Sequence, residues 1–231
     1  MKKLTIISIC LLLFIAGCKS GSGGSADDSI PGAGEEDYSA VSFAQIFKMW
    51  EDFELAFADA DKTGLGDSNL CWAASAANVL TWAGWAADED DTLNIFRSNF
   101  ANSPGWVYDA LRYYFNNYVP GVTAEMVTVR ETRSNLLLDF IVSVLHEGQG
   151  AVIKIAYPDM EIGHFLTIYG YQYFQQEDNF ALYFVDSDDY QHQMRYLKME
   201  WNDATRRWES RGLYSGWYLE YVVSLARNPD N

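Results

Sequence analysis

Cys71 lies in the segment Leu70-Cys71-Trp72-Ala73-Ala74-Ser75-Ala76-Ala77-Asn78, and His164 in Gly163-His164-Phe165-Leu166-Thr167. A thiol acts as a nucleophile only as the thiolate. At a helix start, unpaired backbone N–H groups and the helix dipole stabilise that anion, and a neighbouring imidazolium lowers the pKa further. Further along, Tyr183-Phe184-Val185-Asp186-Ser187-Asp188-Asp189 ends a strand-like run in carboxylates. A carboxylate there can hold a histidine in one tautomer, so the order Cys, His, Asp fits thiolate attack on a peptide carbonyl. The set reads as that of a thiol protease. The other histidines fit less well: His146 ends a predicted helix, where a cation suits the dipole, and His192 lies in a polar stretch beyond the acidic cluster.

Each residue also has a purely structural reading. Cys71 suits a small buried position in an Ala-rich helix, and His164 a satisfied core position on an apolar strand. Asp186, Asp188 and Asp189 suit oxygen ligation of Ca²⁺, although their loop lacks the spacing and terminal glutamate of an EF-hand.

The elements that must position these residues begin after a leader. Met1-Lys2-Lys3 followed by the apolar run 4–15 has the form of a secretory signal, to be left out of the fold. It ends in Ile15-Ala16-Gly17-Cys18, which resembles the bacterial lipobox, where cleavage leaves a diacylated cysteine as the first mature residue. Cys18 is then the lipid attachment point, and two acyl chains on one residue suffice for stable anchoring. The alternative is an ordinary secretory signal with Cys18 unmodified. The expected organisation is a signal over 1–17, a lipidated cysteine with a Gly/Ser-rich and then acidic tether over 18–38, and one domain over 39–231. An exported bacterial lipoprotein, anchored in the cell envelope or at the cell surface, follows.

The formal charge of −16 excludes a nucleic-acid partner, since phosphate binding needs a basic face. Loss of Lys2 and Lys3 with the signal makes the mature chain more acidic still. Of three cysteines, Cys10 leaves with the signal and Cys18 carries lipid, so Cys71 alone remains in the domain and no disulfide framework is possible.

Apolar residues at helical spacing, Phe43, Ile46, Phe47, Trp50, Phe53 and Phe57, predict an amphipathic helix over 42–58. Polar residues 59–69 predict a loop, Cys71 the start of the nucleophile helix, and 91–100, 105–118 and 134–147 three more helices, the last closed by Gly148. Beyond residue 150 the β-branched and aromatic content predicts strands over 151–157, 164–173, 180–186, 194–201 and 217–225. Helices first and mostly antiparallel strands later make an α+β domain, with the nucleophile helix packed on the C-terminal sheet. An antiparallel pairing of 164–173 with 180–186 brings His164 and Asp186 to one end of that sheet.

Asp61-Lys62-Thr63, Leu70-Cys71-Trp72-Ala73-Ala74, the segment Gly-His-Phe-Leu-Thr-Ile-Tyr-Gly at 163–170 and Val-Asp-Ser-Asp-Asp at 185–189 resemble the IdeS/Mac family of bacterial immunoglobulin-degrading cysteine endopeptidases. The resemblance implies a papain-like fold, Cys71 as nucleophile, His164 as base, Asp186 as the carboxylate orienting it and Asp188 as its support. It also implies Lys62 in the oxyanion hole. Papain-like enzymes generally place a glutamine a few residues before the nucleophile, and no Gln lies between Gln45 and Cys71, so Lys62 fills that vacancy. The implied partner is a protein substrate, immunoglobulin G among the candidates, and no cofactor or metal is called for. Two other classes remain open: another papain-like thiol enzyme, such as a transglutaminase, acyltransferase or peptide-processing peptidase, and a catalytically inert surface-binding module.

Overall fold

In the computed structural model, residues 41–42, 57–62, 66–132, 136–158, 163–174, 179–188 and 193–230 are described. The expectations for the signal, Cys18 and the tether lie outside the described residues. So do Asp189, His192 and residues 43–56 of the predicted aromatic helix. At that helix's margins the structure corrects the expectation: Val41–Ser42 is a strand, β1, and Phe57 and Ala58 lie in irregular backbone.

The helices come first, as the sequence predicts. The first, α1 (Cys71–Trp82), is buried along nearly its whole length, from Trp72 to Leu80. Four alanines in its first seven residues permit this, because small side chains let neighbouring elements approach on every side. It ends where Gly84 turns into the left-handed region, φ 76°. α2 (Glu89–Asn99) starts on an Asp88 cap that accepts from the Asp91 N–H, with acidic residues in its first turn. α3 (Val107–Tyr118) carries a buried stripe of Val107, Tyr108, Ala110, Leu111, Tyr114 and Phe115. A short α4 (Ala124–Val127) leads directly into β2 (Thr128–Thr132), and α5 (Leu137–His146) follows. Neither α4 nor β2 is expected from the sequence, since each is too brief to show a period.

Strands β3 (Gly150–Ala156), β4 (Gly163–Phe174), β5 (Asn179–Val185), β6 (Arg195–Asn202), β7 (Arg207–Arg211) and β8 (Tyr218–Leu225) complete the chain. All pairings are antiparallel, in the order β4-β3-β8-β7-β6-β5, and β5 pairs back onto β4. The expected sheet is therefore closed on itself. β1 extends the far half of β4 and β2 the outer edge of β8.

Closure explains why several strands read as nearly continuous apolar runs. Ala151, Ile153 and Ile155 of β3, Leu166 and Ile168 of β4 and Leu219 and Val222 of β8 face the interior, where α5 contributes Leu138, Ile141 and Leu145. The alternate residues Val152, Phe165, Tyr221, Val223 and Leu225 face the other way, into a second core with α1, α2 and α3. Both faces are buried, so little polar alternation survives. The architecture is α+β, with α1 packed between the other helices and the outside of the closed sheet.

Candidate functional site

Three short hydrogen-bond bridges place the segment before α1. The Tyr169 hydroxyl on β4 donates to the Ala58 carbonyl at 2.7 Å. The Ala60 N–H donates to Asn78 Oδ1 on α1 at 2.6 Å, and the Lys62 N–H to the Ser187 carbonyl beyond β5 at 2.9 Å. Asn78 also donates to Thr167 on β4 at 3.5 Å. One buried amide thus joins the segment, the helix and the strand; buried polar groups are retained when so paired. Arg97 on α2 clasps the following loop, donating to the Asp61 carbonyl at 3.0 Å and to buried Asp67 at 2.6 Å.

The β4–β5 register, Thr167 opposite Val185, carries His164 and Asp186 to the same end of the pair, as expected. Asp186 sits one residue beyond the strand rather than within it. His164 Nε2 and Asp186 Oδ1 are 2.7 Å apart, and both residues are buried. That contact occupies Nε2 and leaves Nδ1 free of Asp186, and Cys71, the first residue of α1, lines the same cleft as His164, close enough for each to act on the other's charge. Cys71, His164 and Asp186, which the sequence singles out, thus lie in one neighbourhood.

Asp188 is placed differently from Asp186. Its backbone N–H donates to Asp186 Oδ1 at 3.0 Å, so it supports that carboxylate through the main chain. Its own half-exposed carboxylate forms an ion pair with Lys62 and lies 3.9 Å from His164 Nδ1. A continued strand would put residues two apart on one face; β5 instead ends at Val185, and the turn beyond it brings both carboxylates to the histidine. His164, Asp186 and Asp188 offer ligand atoms within 4.8 Å of one another, a spacing a cation would accept. Each is already engaged, Asp186 by His164 and Asp188 by Lys62, so the cluster is self-neutralising.

Lys62 is buried, its ammonium donating to the Ser68 carbonyl at 2.9 Å and paired with Asp188. An ammonium has three protons, and two are committed; the third is available to the cleft that Lys62 lines. That cleft, about 490 Å³, is walled by Cys71, Trp72, Gly105, Trp106, Lys154, His164, Phe165, Asp188, Tyr214 and Trp217. On one side Lys154 lies over the Trp106 ring at 4.9 Å and pairs with Glu220 at 2.6 Å.

The electrostatics favour an ion pair. Burial pushes the Cys71 thiol up, but the hydrogen bond and charge of His164, the Phe165 backbone N–H and the charge of Lys62 together bring it below the ordinary value. Burial likewise pulls His164 down, yet Asp186 and Cys71 outweigh it and raise the imidazole to about 10. Asp186, although desolvated, is held below the usual carboxylate range by His164, the Tyr214 hydroxyl and the Asp188 N–H. The lowered thiol and the raised imidazole both favour a thiolate–imidazolium pair.

Sequence reasoning does not find Tyr214. Its hydroxyl donates to Asp186 Oδ2, and its ring lies 5.7 Å from that of His164. The faint signal is the glycine bracket of Gly212-Leu213-Tyr214-Ser215-Gly216 ahead of a strand. His146 closes α5 as expected and pairs with Tyr171 at 2.7 Å. No protein-family model and no curated protein matches this chain.

Proposed function

We propose that this protein is a cysteine endopeptidase of papain-like architecture, with Cys71 as nucleophile, His164 as general base and acid, and Asp186 as the carboxylate that orients the imidazole. The observation that carries the reading is the hydrogen-bonded His164–Asp186 pair at the wall of the cleft that Cys71, the first residue of a helix, also lines. In this mechanism the thiolate bonds to the scissile carbonyl carbon. The oxygen, now anionic, is met by the Cys71 N–H, which a helix start leaves unpaired, and by the ammonium of Lys62. His164 gives its Nδ1 proton to the leaving amine as the C–N bond breaks. It then takes a proton from the water that attacks the thioester; the C–S bond breaks, the acid product leaves, and the thiolate–imidazolium pair is restored.

The resemblance to the IdeS/Mac family makes immunoglobulin G the first substrate to test, and the lipobox at Cys18 makes the enzyme an exported, membrane-anchored one. An epoxysuccinyl peptide, which alkylates activated thiols, tests the chemistry. It should label Cys71 stoichiometrically, and His164→Ala should slow labelling by at least about 100-fold. Equal labelling of the native and urea-unfolded chains would reject an activated thiol. Amine incorporation into a substrate without hydrolysis would redirect the reading to acyl transfer.

A further inference from the structure

Asp186 has two carboxylate oxygens, and they are held unequally. Oδ1 takes both His164 Nε2 at 2.7 Å and the Asp188 N–H at 3.0 Å, whereas the Tyr214 hydroxyl holds Oδ2. A carboxylate has two-fold rotational freedom about its last bond, so a donor on the second oxygen decides which orientation persists. Burial and the charge of Asp186 raise the Tyr214 pKa, so the hydroxyl keeps its proton and donates.

The chain secures this tyrosine at some conformational cost. Tyr214 has φ 55°, in the left-handed region that L side chains avoid, between Gly212 at 79° and Gly216 at 84°. The loop that imposes this conformation is closed on itself: the Ser210 hydroxyl and the Trp217 N–H both donate to the Tyr214 carbonyl, and the Gly216 N–H donates to the Ser210 carbonyl at 3.1 Å. The Trp217 ring lies 5.4 Å from that of Tyr214. The result is a half-buried ring tilted 38° to His164 over a carboxylate that is 3% exposed.

We propose that Tyr214 is a positioning residue: its hydroxyl fixes the Asp186 carboxylate so that Oδ1 stays on His164, and its ring keeps water from that hydrogen bond. The proposal rests on the working role given above to His164 and Asp186. The other groups around His164 do not duplicate the function. Cys71 faces it from α1, Asp188 contributes a carboxylate near Nδ1, Lys62 lies behind Asp188, and Arg195 of β6 acts on Tyr214 rather than on the imidazole.

The test uses Tyr214→Phe, which keeps the ring and removes only the donor. In the full-length protein kcat should fall about 10- to 100-fold, the range for a hydrogen bond to a charged group, with KM changed less than about twofold. In an Asp186→Ala background the same substitution should cost less than about twofold, since its target is gone. An unchanged kcat, or an equal loss in both backgrounds, overturns the proposal. A second readout needs no turnover: in protein labelled with ¹⁵N-histidine, the low-field proton on His164 Nε2 should exchange with water faster in Tyr214→Phe than in wild type. Unchanged exchange overturns the positioning role. Faster exchange in a protein that cleaves no peptide supports it while removing the endopeptidase reading, so the two failures are distinct.

Discussion

At the scale of the residue, the Cys71 thiol is under opposed influences, since burial favours the neutral form while His164, Phe165 N–H and Lys62 favour the anion. The anion wins, with a sign that can be checked by pH. The imidazolium persists up to about 10, and the thiolate persists down to a value below the ordinary thiol range, so the ion pair occupies the window between them. The rate of Cys71 alkylation by iodoacetamide should therefore rise, with increasing pH, well before the unperturbed thiol pKa of about 8.5. His164→Ala removes the main lowering influence and leaves burial unopposed, so the rise should move above that value and the rate at pH 6 should fall by at least about tenfold. An unmoved pH profile in His164→Ala contradicts the pairing. Cys71, His164 and Asp186 were legible in the sequence because each combines a reactive type with a local context: an Ala-rich helix start, a glycine entering a strand, a carboxylate leaving one. Tyr214 was not, because nothing in the local pattern separates it from the other tyrosines; its contact depends on a loop conformation held by glycines on either side.

At the scale of the element, most helices and strands announce themselves by period and composition, and the strands expected from residue 151 onward are present to within a residue or two. The turn after β5 is the informative departure. The strand ends at Val185 rather than running into the acidic residues, and the turn brings both carboxylates to His164 and gives Lys62 its partner. The closing of the sheet is equally hidden, since β7 is short and the β5–β4 pairing is a long-range choice. Close packing beside Cys71 makes its own demand: a Cβ on Gly105 would lie 2.5 Å from the ring of buried Trp72, whose indole N–H donates to the Ser103 carbonyl at 3.0 Å. Gly105→Ala must move either that ring or the loop that carries Trp106 into the cleft wall. It should lower unfolding stability by about 1–3 kcal/mol, the usual cost of overpacking, seen as a reduced urea midpoint with an unchanged slope. A wild-type midpoint would show that the loop yields freely and that the wall is not rigidly set.

At the scale of the whole molecule, two layers share one boundary. The helices and the closed sheet meet along α1 and β4, and the elements at that boundary carry Cys71 and His164 to one cleft. The chain's strong negative charge plays no part in that placement and opposes nucleic-acid binding; the cleft itself pairs its charges, Lys62 with Asp188 and Lys154 with Glu220. The proposed lipid on Cys18 and the tether after it would set where this domain works, while the contacts around Cys71 set what it does. The central claim is that Cys71 cleaves internal peptide bonds in other proteins. Mass-spectrometric mapping of new amino termini in plasma proteins, immunoglobulin G included, tests it most directly. The account predicts defined new termini after incubation with the wild-type protein and none with Cys71→Ala. No new termini with wild type, or the same termini in equal yield with Cys71→Ala, would contradict it.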